Sequence, residues 1–252
     1  MAIIIKTPKE IEAMQESGKI LAAVFDIVKD NFKPGINAKQ LDDLIFDAIS
    51  SHQAKPSFLG YQGYKYSSCI SKNEEVVHGI PYKEKIFMPG DIASIDIGVF
   101  FKGFHSDAAR TLWLEPIPQE VTRLITVTEE CFFKAIENAK PGNTIGDMAS
   151  ALQHHAESNG FSVVRDLCSH GIGKKLHEDP LIPNYGVQGK GFKLKEGMTF
   201  AIEPMINMGT HQVLTLDDKW TIITADQKLS AHYENTICIT KDGAKILTRH
   251  VE

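Results

Sequence analysis

No stretch of this 252-residue chain approaches the roughly 20 consecutive apolar residues that span a bilayer. The N-terminal MAIIIKTPKE offers only three isoleucines in a row and no small-residue cleavage site, so neither membrane insertion nor export is expected. Cysteine is sparse: Cys69, Cys131, Cys168 and Cys238 lie far apart with no CxxC pair. That excludes a disulfide framework and reads as reduced thiols in a cytoplasmic protein. Basic charge is not in excess, since 27 Lys and Arg face 32 Asp and Glu for a net charge of −5. Nothing therefore points to a nucleic-acid or anionic-lipid partner. No linker rich in Ser, Gly or Pro interrupts the chain, so residues 1–252 are expected to form one domain. With 42% apolar and 23% charged residues, the remainder suits a globular protein with a substantial core.

What is present begins with helices. In TPKEIEAMQESGKILAAVFDIVKD, Ile11, Met14, Gly18, Leu21, Phe25 and Val28 recur at steps of three and four, which predicts one apolar helical face. Thr7, Pro8 and Glu10 supply an N-cap, a first-turn proline and a capping-box acid. Lys33-Pro34-Gly35 stops this helix, and Asn37 caps a second carrying Leu41, Leu44, Ile45, Ala48 and Ile49. The same grammar returns in PQEVTRLITVTEECFFKAIENA, followed by Lys140-Pro141-Gly142, a box of Thr144 with Asp147, and a stop at Asn159-Gly160.

The two KPG sites are 107 residues apart, and so are Gly90 to Asp96 and Gly197 to Glu203, which share the pattern G-x-x-x-x-I-acid. Two landmarks at one offset predict an internal duplication. The expected fold is α+β: two pseudo-symmetric halves, roughly 1–110 and 111–252, with helices covering a shared, mostly antiparallel sheet. A site between them would draw residues from both.

The acids inside the predicted strands carry the chemistry. SIDIGVFFKGFHSD, Ser94 to Asp107, reads as a hairpin turning at Lys102-Gly103. That register sets Asp107 opposite Gly98 and puts Asp96 and Asp107 on one face, with Cα atoms about 7–8 Å apart. Asp is disfavoured in strands, and two inward carboxylates need a cation. From the hairpin alone, an ion pair with Arg110 and a metal site are both open. Glu203 in TFAIEPMI occupies the place in the second half that Asp96 holds in the first, and Glu234 lies in a third apolar strand, SAHYENTICIT. His170 in CSHGIG is followed by glycines that permit close approach of backbone and ligand. Four carboxylates and one neutral imidazole carry a charge that two divalent cations balance. The mixed donor set suits Mn, Fe, Co or Zn more than pure Mg or Ca.

Five motifs in order then carry a resemblance over almost the whole chain: NEEVVHGIP, SIDIG with HSDAARTL, SHGIGKKLHEDP, AIEPM and ENTICIT. The sequence resembles the type I, bacterial-type methionine aminopeptidases, metallopeptidases of the pita-bread fold. The resemblance implies two divalent ions held by Asp96, Asp107, His170, Glu203 and Glu234, with Asp107 and Glu234 bridging. It implies catalytic roles for His78, His177 and Glu203, with Glu203 moving a proton, His177 at the scissile carbonyl and His78 near the scissile amide. The implied substrate is a peptide or nascent chain with a free N-terminal methionine and a small second residue. A cytoplasmic monomer in transient association with the ribosome is expected.

A methionine pocket is expected from Phe58, Tyr61, Tyr64 and Cys69, with Trp220 from the other half. Phe58, Gln62 and Leu176 depart from the residues common in bacterial relatives, which are often cysteine, histidine and an aromatic respectively. The rivals are an X-Pro aminopeptidase or prolidase, which carries an extra N-terminal domain, and a non-enzymatic binding protein of the same fold, which would not need all five ligand types.

Overall fold

The computed structural model describes residues 3–249. Its first half runs through α1 (Pro8–Asn31), α2 (Ala38–Ser51), β1 (Lys55–Pro56), a 3-10 turn (Tyr61–Gly63), β2 (Ser68–Lys72), β3 (Glu75–Val77), β4 (Ile92–Phe101) and β5 (Phe104–Trp113). The second begins with α3 (Gln119–Glu137), α4 (Ile145–Ser158), β6 (Ser162–Val163), β7 (Cys168–Gly171) and β8 (Glu178–Pro183). It continues through β9 (Thr199–Ile202), β10 (Met205–Asn207), β11 (Val213–Thr215), β12 (Ile222–Thr224), β13 (Ser230–His232), β14 (Asn235–Thr240) and β15 (Gly243–Ile246).

The helices start where their capping chemistry dictates. Thr7, Asn37 and Thr144 each accept a hydrogen bond from the backbone N–H three residues on, while Glu10, Gln40 and Asp147 reach back to the cap N–H. Gly18 is on the apolar face of α1 because a Cβ there would lie 2.1 Å from the Leu247 carbonyl oxygen. That contact presses α1 onto the C-terminal segment.

The 107-residue offset reappears in the hydrogen bonds. Gly35 N–H donates to Phe87 O and Gly142 N–H to Leu194 O; Ala38 N–H donates to Lys85 O and Ile145 N–H to Phe192 O. Phe87 N–H to Ile36 O and Leu194 N–H to Asn143 O complete the series. Each half therefore fastens the turn between its two helices to the segment leading into its sheet through the same three contacts. One apolar core packs α1 and α2 on β4 and β5 through Leu21, Val28, Leu41, Ile45, Ile95 and Ile97. The other packs α3 and α4 on the second half's strands through Leu124, Phe132, Leu152, Phe200, Ile206 and Ile237.

Among the described residues the strands form four antiparallel sheets: β1-β4-β2 with β5 on β4, β15-β14-β9-β7-β8, β13-β10-β6 and β11-β12-β3. The halves meet where β5 lies beside the start of β14. There Glu234 N–H donates to Ala109 O (3.0 Å), and the Thr236 hydroxyl accepts from Asp107 N–H (2.8 Å). A third cluster, including Met14, Phe58, Tyr64, Ile172, Leu176 and Cys238, joins both halves around this seam.

One strand expectation is corrected. Glu203 and Glu234 are not inside strands; each sits in the break between two, after β9 and after β13. Ile202 pairs with Asn235 and Met205 with His232, and between these pairs the regular ladder gives way to one bond, Tyr233 N–H to Pro204 O (3.2 Å). Pro204 has no N–H to give to the ladder, and Glu234 pairs with Ala109 of the other half. The opening is what lets both carboxylates turn into the seam.

Candidate metal centre

The hairpin turn forms as its sequence predicts. Lys102 and Gly103 both take positive φ, 49° and 84°, as a tight two-residue turn requires. Gly98 pairs with Asp107 and Asp96 with Ala109, so the two aspartates are diagonal neighbours on one face. Glycine at 98 has a second use: a Cβ there would be 2.8 Å from the Phe58 ring, which packs over this strand.

His170, from β7, donates its Nδ1–H to the Gly171 carbonyl (2.8 Å). The carbonyl can only accept, so Nε2 is left bare as a ligand or acceptor. That Nε2 lies 3.7 Å from Glu203 Oε1. The glycines after His170 serve backbone packing rather than ligand approach: a Cβ on Gly171 would be 2.3 Å from Asp179 O, and one on Gly173 would strike Lys6. Glu203 is fixed through its backbone, its N–H donating to the Ser169 hydroxyl (2.9 Å) and its carbonyl accepting from Asn184 Nδ2 (2.8 Å). Potential ligand atoms of Asp107, His170 and Glu234, all buried, lie within 4.8 Å of one another.

Arg110 gives these carboxylates no hydrogen bond, although its charge partly lowers Glu234. Its guanidinium donates to the carbonyls of Ala109 and Glu234 and to Asn235 Oδ1, and it stacks over Tyr233 at 4.4 Å. The ion pair left open by the hairpin is thus absent from the hairpin's own face. Asp96 Oδ1 and Asp107 Oδ1 are buried without a hydrogen-bond partner, the condition that a bound cation relieves.

Without a cation, burial raises Asp96 to about 7, partly countered by its hydrogen bond with Asp107. Burial, then the charges of Glu234, Asp96 and Glu203, holds Asp107 far above the carboxylate range. Burial, then the charges of Glu234 and Asp96, does the same to Glu203; burial and Asp96 do so to Glu234, partly countered by Arg110. Burial keeps His170 neutral by lowering it to about 3. A crowded set of hard oxygens with one bare imidazole nitrogen fits divalent ions with mixed N and O preference.

The two other predicted histidines face the same cleft. His78 follows β3 and holds a left-handed backbone, φ 58°, a conformation uncommon outside glycine. Burial lowers its pKa to about 4, so it is a neutral imidazole. His177 precedes β8. Its ring stands 4.2 Å from that of His170, and its Nδ1 shares a 2.7 Å hydrogen bond with the Tyr61 hydroxyl.

Phe58, Tyr61, Tyr64, Cys69 and Trp220 line a cleft of about 320 Å³ together with Asp96, Asp107, His78, His170, His177, Glu203 and Glu234. Tyr64 and Trp220 meet edge to face at 4.9 Å, and burial beside Asp96 pushes the Cys69 thiol well up, leaving it an inert part of the wall. Gln62, at φ 48°, and Leu176 also line the cleft, as do Leu167, Cys168 and Met205, which the sequence did not single out.

The residue that sequence reading missed is His232. It stands two positions before Glu234, is 1% exposed, and its Nε2 lies 3.7 Å from Glu203 Oε2 and 4.0 Å from Glu234 Oε2. The period-two alternation of SAHYENTICIT was the available signal: His232 and Glu234 share a parity.

Comparison with known proteins follows the same lines. The model of metallopeptidase family M24 matches residues 12–241. The methionine aminopeptidase of Clostridium perfringens is 51% identical over 246 residues, 98% of either chain. The crystal structure of methionine aminopeptidase from Thermotoga maritima is similar with a TM-score of 0.97 at 46% identity, over 99% of this chain and 100% of that one. A prolidase from Pyrococcus furiosus is similar at TM-score 0.79 and 25% identity, and this chain covers 66% of it.

Proposed function

The chain belongs to metallopeptidase family M24 and is a metal-dependent aminopeptidase, and from that premise we propose how its seam cleft removes N-terminal methionine. The carrying observation is that four buried or half-buried carboxylates, three neutral-leaning histidines and an aromatic wall converge in one cleft drawn from both halves. The whole chain acts as one catalytic unit, because neither half alone supplies the set.

Asp96, Asp107, His170, Glu203 and Glu234 would hold two divalent ions. When bound, such ions supply a water acidic enough to attack near neutral pH and an electrophilic contact for the scissile carbonyl. Glu203 accepts the proton of the attacking water and passes it to the leaving amine. His177 has Nδ1 engaged by Tyr61, so Nε2 is the nitrogen left to steady the carbonyl oxygen as charge develops there. His78 faces the scissile amide from its strained position after β3. Phe58, Tyr61, Tyr64, Cys69 and Trp220 enclose the flexible thioether of methionine in an apolar pocket.

Mn, Fe, Co and Zn suit the donor set. The physiological substrates are nascent chains in the cytoplasm with small second residues, met by a monomer in transient contact with the ribosome. The protein loaded with manganese or cobalt should release methionine from Met-Ala-Ser and not from a Met-Lys peptide. Cleavage of X-Pro dipeptides without methionine release would favour a prolidase-like peptidase instead.

The Tyr61 hydroxyl gives a smaller test. Tyr61→Phe keeps the ring in the pocket and removes one hydrogen bond to His177, so kcat should fall about 3- to 10-fold with KM little changed. Steady-state kinetics on Met-Ala-Ser checks it; an unchanged kcat would remove His177 orientation from the account.

A further inference from the structure

Glu203 has an imidazole on each side at the same distance: His170 Nε2 is 3.7 Å from Oε1, and His232 Nε2 is 3.7 Å from Oε2. His170 lines the cleft, whereas His232 does not and stands behind the carboxylates. Among the described residues His232 Nε2 is buried without a hydrogen-bond partner, and Glu203 Oε2 and Glu234 Oε2 are the carboxylate oxygens within 4.0 Å of it. Its backbone is clamped from the first half, its N–H donating to the Thr111 hydroxyl (3.0 Å) and its carbonyl accepting from that hydroxyl (2.9 Å). Thr111 is in turn joined to Ser94 of β4 at 2.9 Å. The backbone of His232 is thus fixed, and its ring is enclosed, at 2% side-chain exposure against 15% for Glu203. The carboxylate of Glu203, on a longer and less confined stem, is the partner able to close the gap.

We propose that His232 is a positioning residue for the proton carrier: its Nε2–H donates to Glu203 Oε2 and thereby turns Oε1 into the cleft beside His170. The gap of 3.7 Å exceeds a hydrogen bond, and contacts of this kind tighten when a hydrolytic site is loaded. The proposal rests on Glu203 as the group that moves the proton. It assigns His232 no place among the ion ligands, and it deepens that reading by saying which oxygen does the work and what holds it there.

The test compares His232→Leu and His232→Gln in the cobalt-loaded protein, with Met-Ala-Ser as substrate. His232→Leu should bind the same number of cobalt ions, shift their visible absorption, and lower kcat about 10- to 100-fold with little change in KM. His232→Gln keeps an N–H donor at similar reach and should restore most of kcat and the parent spectrum. If His232→Leu does not fold, His232→Asn replaces it; its shorter amide falls short of Glu203 and should behave as the leucine variant would. Parental kcat and spectrum in the leucine or asparagine variant, beside an inactive Glu203→Gln, would overturn this proposal alone. One cobalt ion fewer in the glutamine and leucine variants alike would make His232 a ligand and overturn it too. Full activity in Glu203→Gln would overturn both this proposal and the reading beneath it.

Discussion

Glu203→Gln should lower kcat for methionine release from Met-Ala-Ser by about 10²- to 10⁴-fold, the range lost when a general acid-base group is removed. Glutamine keeps the shape and one oxygen donor but cannot accept and return a proton. The backbone of residue 203 is anchored through Ser169 and Asn184, so its position does not depend on the side-chain charge. Removing a carboxylate from a crowd that includes Glu234 and Asp96 relieves repulsion, and the ion-stripped variant should melt no lower than the ion-stripped parent. Single-turnover kinetics together with thermal melting separates lost chemistry from lost fold. Full activity would contradict the proton-transfer role.

The second large effect is on stability. In the ion-stripped protein Asp96 is raised to about 7, and Asp107, Glu203 and Glu234 stand well above their ordinary values. A carboxyl that holds its proton more tightly when folded stabilises the fold fully below its unfolded pKa, and that stability is lost as pH rises through the folded value. Five histidines work in the opposite direction at lower pH: His78 and His105 fall to about 4, His170 and His232 to about 3, and His177 is lowered too, mainly through burial. They bind protons in the unfolded chain below about pH 6.5, so their contribution grows with pH up to that point and is then flat.

The window that isolates the carboxylates is therefore pH 6.5 to 8. There the stripped protein should lose up to about 1.4 kcal/mol per pH unit for each carboxyl that keeps its proton. Cobalt or manganese should remove this loss, because ions bind the ionised carboxylates. Melting curves at the two ends of the window, with and without chelator, decide it. A stripped protein whose melting temperature rises with pH there would contradict the buried-carboxylate account.

Much of this was legible in the chain because its signals are local. The caps at Thr7, Asn37 and Thr144 depend on side chains three residues away, and the turn at Lys102-Gly103 on two backbone conformations. The hairpin register then followed, and with it the common face of Asp96 and Asp107. The duplication was legible as a repeated offset and recurs as repeated hydrogen bonds. The strand breaks at Glu203 and Glu234 were not, because the apolar residues around them read as continuous strands. Pro204 marks one side of the break in the sequence, and only the pairing of Glu234 with Ala109 of the other half shows the rest. His232 was hidden for a related reason: a histidine in an apolar strand has an ordinary explanation until Glu203 is found 3.7 Å from it. The fate of Arg110 also needed three dimensions, since its partners Glu234 and Asn235 lie more than a hundred residues away.

The most direct test follows cobalt binding and methionine release together while the stripped protein is titrated with cobalt in the presence of Met-Ala-Ser. The account predicts no release from the stripped protein, release that grows as ions bind, and a plateau at two ions per chain. Undiminished release from the stripped protein, or saturation with ions and no release, would contradict it.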